Sequence, residues 1–151
     1  APRAPLARTG GALAAYLALS AALSPLAAPH LRRRLARGRE DPARWREKLG
    51  LPGAARPDGA LVWLHAVGLG EVLALRGLIA AMARVRADLS FLVTSSALTS
   101  VRALAGQMPA RTRHQFLPLD LPGPVGRFLA HWRPDLSIWA EQDLWPRAVV
   151  A

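Results

Sequence analysis

The stretch ALVWLHAVGLGEVLALRGLIAAMARVRADLSFLVTS, residues 60–95, decides the fold. It opens on a short apolar run, 60–67, interrupted only by His65, which reads as a strand buried on both faces. A turn with two glycines follows. From Gly70 onward Val72, Leu75, Leu78, Ile79, Met82 and Val85 recur at helical spacing. The run LSFLVTS, 89–95, is then a second buried strand.

The same alternation continues downstream. LTSVRALAGQM reads as a second helix, with Thr99 or Ser100 near its start, and RHQFLPLD as a third strand ending at Pro118. PGPVGRFLAHWR is a helix opened by prolines, which suit a first turn because their missing N–H has no partner there anyway. DLSIWAEQ is a fourth strand, and LWPRAVVA begins a further helix. Strands alternating with helices through short connections predict an α/β fold, a parallel sheet with helices on both faces, Rossmann-like. Ligands of such sheets sit outside the carboxyl ends of the strands. His65 to Glu71, Thr94 to Ser96, Leu117 to Leu121 and Ala140 to Trp145 therefore converge on one edge. The full dinucleotide-binding glycine fingerprint and the Walker lysine pattern are both missing.

Upstream, residues 9–29, TGGALAAYLALSAALSPLAAP, carry no charged side chain. As a helix this stretch would just reach across a hydrocarbon core, so residues 1–29 read as an N-terminal membrane-anchor helix, spanning or half-inserted. A cleaved signal peptide is the competing reading, opposed by the arginines that follow at once. Residues 30–58 form a basic juxtamembrane segment and linker, with Arg32, Arg33, Arg34, Arg37, Arg39, Arg44, Arg46 and Lys48 against Glu40, Asp41 and Glu47. Residues 59–151 form the Rossmann-like domain. The net charge of +10 suits a nucleic acid or an anionic lipid surface; the adjoining apolar stretch favours lipid, and no nucleic-acid partner is expected. Positive charge on the C-terminal side of the anchor places the domain in the cytoplasm. With no cysteine, disulfides, thiolate metal sites and cysteine nucleophiles are excluded.

The residues at the sheet edge leave several chemistries open. A carboxylate at the start of a helix is favoured by the exposed amides and the dipole there, so Glu71 is a helix cap, a ligand contact or a catalytic group. Gly68 and Gly70 allow a close backbone approach. Thr94 and Ser95 offer hydroxyls for sugar or phosphate oxygens, or for capping the helix that follows. His65 reads as a packed histidine, and Asp120 as turn chemistry or a contact.

Four pieces in this order, WLHAVGLGEV, FLPLDLP, RFLAHWRPDL and AEQDLWP, resemble the N-terminal domain of the 3-deoxy-D-manno-octulosonic acid (Kdo) transferases. RGREDPARWREKLGLP resembles the basic segment that precedes that domain. The resemblance implies the N-terminal half of a GT-B glycosyltransferase. Such an enzyme moves Kdo from CMP-Kdo to the lipid A precursor, lipid IVA, at the cytoplasmic face of the inner membrane in lipopolysaccharide biosynthesis. It implies inversion at the anomeric centre, with no metal and no cofactor. Glu71 stands where the family's HAVSxGE motif has its proposed general base. Glu141 and Asp143 match the acidic pair before Leu-Trp-Pro, and would bind acceptor hydroxyls, orient Glu71, or cap the next helix.

Three positions depart from the pattern: Gly68 replaces the motif's serine, Ala97–Ser100 replace a Thr-Pro-Thr-Gly stretch, and Arg147 replaces the asparagine after Trp-Pro. The donor-binding half is not among these 151 residues, so the chain alone is expected to be inactive. A membrane-anchored, non-catalytic acceptor-binding module, or a divergent family member, is the alternative.

Overall fold

A computed structural model of the protein describes residues 10–96, 108–140 and 144–151. Two helices open it, α1 (Gly11–Leu23) and α2 (Ala27–Ala36), joined by a 3-10 turn over Ser24–Leu26 that begins with Pro25 near its start. Together Gly11–Ala36 is long and apolar enough, by length and composition, to cross a membrane. A second 3-10 turn, Trp45–Leu49, leads into β1 (Leu61–His65), α3 (Leu69–Val85), β2 (Ser90–Ser95), β3 (Thr112–Phe116), α4 (Pro122–Trp132), β4 (Leu136–Trp139) and α5 (Pro146–Val150).

All described pairings are parallel, in the order β3-β2-β1-β4. The alternation of side chains along β1 explains why helices cover both faces. Val62 and Leu64 point to one side, where Val72, Leu75 and Ile79 of α3 pack with Phe91 and Val93. Leu61 and Trp63 point to the other, against Phe128 and Trp132 of α4 with Leu92 and Leu117. The Trp63 and Phe128 rings lie 5.0 Å apart, and Trp139 meets Trp63 edge-on at 5.2 Å.

The expected strands and helices are present with small shifts at their ends. The third strand starts at Thr112 and stops at Phe116, so Leu117 and Pro118 fall in the loop. The expected helix over 98–108 lies outside the described residues apart from Met108.

The strand order fixes where a ligand would sit. From β1 the chain steps outward through β2 and β3, then returns to the opposite side of β1 for β4. The direction of winding reverses between β1 and β4, the kind of switch point at whose carboxyl ends such sheets bind their ligands. The register puts His65 beside Trp139, and the Ala140 amide donates to the His65 carbonyl at 2.9 Å. The loop to Glu71 and the chain entering the acidic LWP motif therefore leave the sheet side by side.

The basic segment is fastened to the domain rather than strung beside it. Glu40 is buried between Arg34 Nε at 2.5 Å and Lys48 Nζ at 2.6 Å. Burial alone would raise its carboxyl pKa, but the bonds and charges of Lys48 and Arg34 outweigh that and hold it below its ordinary value. Glu47, also buried, pairs with Arg44 at 2.8 Å and accepts the Phe116 amide at 2.8 Å, which closes the end of β3. Leu119 donates its amide to the Lys48 carbonyl at 2.9 Å.

Candidate functional site

Glu71 is the third residue of α3, which starts directly after the loop leaving β1. The N-cap position belongs to Gly68, whose φ of −92° and ψ of 171° are extended backbone open to any residue. Gly68 is therefore not required for its conformation. What it supplies is space: a β-carbon built there would overlap the Glu71 Oε2, with Cδ 3.3 Å away. The carboxylate is folded back over the start of its own helix, the direction a capping-box acid takes. A serine at 68 would need the end of this side chain to move. Gly70 is exposed, and a β-carbon there would meet nothing within 4 Å.

Behind this loop lies a buried polar layer. Thr94 is fully buried; its Oγ1 accepts from Trp63 Nε1 at 2.8 Å and lies 3.0 Å from His65 Nδ1. His65 Nδ1 is also 3.1 Å from the Thr94 carbonyl, and the ring meets Trp139 edge-on at 4.9 Å. The Thr94 hydroxyl thus faces the sheet interior, where it ties β2 to the end of β1. Ser95 Oγ lies 2.9 Å from His114 Nε2. Arg44 holds the other side of that ring, 3.0 Å from Nδ1 and bonded to the His114 carbonyl at 2.9 Å. A guanidinium only donates, so Nδ1 accepts and the proton sits on Nε2, directed at Ser95. Burial, and then the Arg44 charge, lower the His114 pKa to about 3 and keep the ring neutral.

Asp120 joins the edge of the sheet to the N-terminal helix. It accepts the Arg147 and Ala148 amides, each at 3.0 Å, and so caps α5. It also accepts the Tyr16 hydroxyl at 2.6 Å. The Arg147 guanidinium continues the contact, donating to the Leu17 carbonyl at 2.5 Å and to Ser20 Oγ at 2.8 Å. Arg147, one of the three departures, thus holds α1 against the sheet edge. Nothing short-range in the sequence announced this, because Tyr16 and Asp120 are 104 positions apart.

Of the candidate residues, Gly68, Gly70, Glu71 and Thr94 lie at the carboxyl ends of β1 and β2, with Thr94 behind the others. Glu141 and Asp143 lie outside the described residues, which resume at Leu144 after the β4 end that adjoins His65. Among the described residues, no three His, Asp or Glu side chains come together as a group able to hold a metal ion.

Residues 43–151 match the family model described as 3-deoxy-D-manno-octulosonic-acid transferase (kdotransferase). A protein of Arabidopsis thaliana named "Probable 3-deoxy-D-manno-octulosonic acid transferase, mitochondrial" is 42% identical over 136 residues, 90% of this chain and 30% of that protein. The 3-deoxy-D-manno-octulosonic acid transferase of Rickettsia bellii is 32% identical over 134 residues, 89% of this chain and 32% of its own length. That of Rickettsia typhi is 40% identical over 87 residues, 58% of this chain and 19% of its own. No solved structure matches the chain. The chain spans about a third or less of the curated relatives it matches. By its sequence match and its parallel α/β architecture, which fits the N-terminal half of a GT-B glycosyltransferase, the chain belongs to the Kdo transferase family.

Proposed function

We propose that the protein carrying this chain is an inverting glycosyltransferase that moves Kdo from CMP-Kdo to the lipid A precursor, lipid IVA, in lipopolysaccharide biosynthesis. Glu71 is the general base. The supporting observation is its place on the third residue of α3, directly after the carboxyl end of β1 and beside the β1/β4 switch point, where ligands of such sheets bind. In the reaction the acceptor hydroxyl oxygen attacks the anomeric carbon of Kdo as the bond to CMP breaks on the opposite side. The hydroxyl proton passes to the Glu71 carboxylate, within hydrogen-bond reach of the attacking oxygen. Gly68 and Gly70 keep that side of the loop narrow. Glu141 and Asp143 bind acceptor hydroxyls and steady Glu71, and Thr94 acts from behind by fixing His65 at the end of β1. The donor is held by a second domain.

The protein works on the cytoplasmic face of the inner membrane, lying on it rather than crossing it. Gly11–Ala36 has the length to cross, but the middle of α1 is bonded to Asp120 and Arg147, which holds it against the domain. Leu19, Leu23 and Leu26 remain exposed for insertion. Three of the eight cations of the basic cluster, Arg34, Arg44 and Lys48, are engaged by Glu40 and Glu47, and Arg32, Arg33, Arg37, Arg39 and Arg46 stay exposed to meet anionic lipid.

The test is transfer by the full-length gene product in membranes supplied with CMP-Kdo, generated in situ, and lipid IVA. Glu71→Gln is expected to lose at least 10²-fold in kcat with its fold and membrane binding intact. No transfer by the unaltered protein would favour a non-catalytic acceptor-binding module. Transfer undiminished by the substitution would move the base elsewhere.

A further inference from the structure

Between α1 and the sheet edge runs an open-sided cavity of about 250 Å³. One wall is Leu19 and Leu23 of α1; the other is Leu119, Leu121 and Trp145 from the loops after β3 and β4. Apart from Trp145 Nε1, which is buried without a hydrogen-bond partner, its polar side chains are already engaged with protein groups. Tyr16 donates to Asp120, Asp120 also caps α5, and Ser20 Oγ bonds the Leu17 carbonyl and Arg147. An occupant is therefore offered shape and apolar contact but few hydrogen bonds. Water, which needs two to four polar partners, is a poor tenant of such a site. The volume falls just under the range usual for whole small-molecule pockets and suits one narrow chain.

Two further observations name that chain. The groove opens along Leu19 and Leu23, 61% and 46% exposed, so it is continuous with the apolar outer face of a helix able to enter lipid. Its inner end is formed by the loops at the carboxyl edge of the sheet, the edge that carries Glu71. We propose that this groove holds one acyl chain of the acceptor lipid, leading the chain from the membrane while the acceptor's sugar lies at the sheet edge. This rests on the Kdo-transferase reading for the identity of the lipid. Arg147 and Asp120 are then positioning residues, because they fix the helix that forms one wall.

The test is labelling, and it needs no transfer. A tetra-acylated glucosamine disaccharide bisphosphate with a diazirine in the middle of one acyl chain is irradiated with the full-length gene product in phosphatidylethanolamine/phosphatidylglycerol vesicles. Adducts are mapped by mass spectrometry. Label is expected on Leu121 and Trp145 as well as on α1, and Leu23→Trp, which fills the groove, is expected to lower labelling of Leu121 and Trp145 at least five-fold. Leu26→Trp lies outside the cavity on the adjoining turn and is expected to leave it unchanged. Label confined to Leu19 and Leu26 would overturn the proposal. So would adducts displaced equally by excess unlabelled phosphatidylethanolamine, which would make the groove a general lipid contact. Cross-links between two copies would assign the groove to an interface. Labelling as expected without any transfer would leave the groove standing and remove the transferase reading; transfer without groove labelling would do the reverse.

Discussion

Gly50 offers the sharpest test of how the basic segment is joined to the domain. Its φ of 80° lies in the left-handed region, where it ends the 3-10 turn Trp45–Leu49. A β-carbon there would overlap the Pro124 carbonyl, with Pro124 C at 2.8 Å and Cα at 2.9 Å. These are backbone atoms at the start of α4 and cannot rotate aside. Gly50→Ala therefore carries two costs: about 1–2 kcal/mol for the left-handed conformation and about 1–3 kcal/mol for overpacking. Gly38 separates them. Its φ is 68°, but a β-carbon there would meet nothing within 4 Å, so Gly38→Ala carries only the first. In thermal unfolding followed by tryptophan fluorescence, where ~1 kcal/mol moves a domain of this size by about 2–4 °C, Gly50→Ala should lower Tm by roughly 5–15 °C. Gly38→Ala should lower it by roughly 2–6 °C. Equal losses from the two would refute the contact between the basic segment and α4.

Three other perturbations have definite expected outcomes. Asp120→Ala leaves the Tyr16, Arg147 and Ala148 donors without their acceptor and should cost about 2–4 kcal/mol, with faster chymotryptic cleavage at Tyr16; Tyr16→Phe, losing one bond, should cost about 1 kcal/mol. His114 has a folded pKa of about 3 against an ordinary 6.5, so its contribution is full above 6.5 and is lost as pH falls toward 3. Urea unfolding of the native protein should lose stability over that range by up to about 1.4 kcal/mol per pH unit more than His114→Gln does. Replacing Arg32, Arg33, Arg37 and Arg39 together by Gln should weaken sedimentation with phosphatidylglycerol vesicles at least tenfold, at roughly 1 kcal/mol per residue, without lowering Tm; Arg44→Gln should lower Tm instead.

The strands and the two described helices on their flanks were legible because their signals are local. An unbroken apolar run such as 60–67 is a buried strand, and the spacing of Val72, Leu75 and Ile79 is that of one helix face. The site's edge followed from topology alone, since strand ends in a parallel sheet all point one way. Charge was harder to read. Eight cations in 30–50 look like a solvated face, yet Arg34, Arg44 and Lys48 are spent on Glu40 and Glu47, and which cation meets which acid depends on how that segment folds. Thr94 was misleading for a similar reason. A hydroxyl at a strand end faces solvent or interior according to the pleat, and here the pleat turns it toward Trp63. The docking of α1 was invisible, although one sign was present: the chain's single tyrosine lies within an apolar stretch that had no other large polar side chain.

Two of the departures from the family motif bear on whether the site can still work, and both have a packing explanation. Gly68 stands where the motif has serine, and the volume it vacates is the volume the Glu71 carboxylate enters. Losing the hydroxyl thus changes where the acid rests while leaving it at the carboxyl end of β1. Arg147 stands where the motif has asparagine, and its side chain reaches away along α1 to the Leu17 carbonyl and Ser20. Its backbone amide is held by Asp120, which also receives Tyr16, so one carboxylate fixes the start of α5 and the position of α1 together. The Arg147 change therefore tightens the link between the edge of the sheet and α1. Such a coupling suits the proposed reaction, in which an acceptor hydroxyl meets Glu71 while the rest of the acceptor stays in lipid.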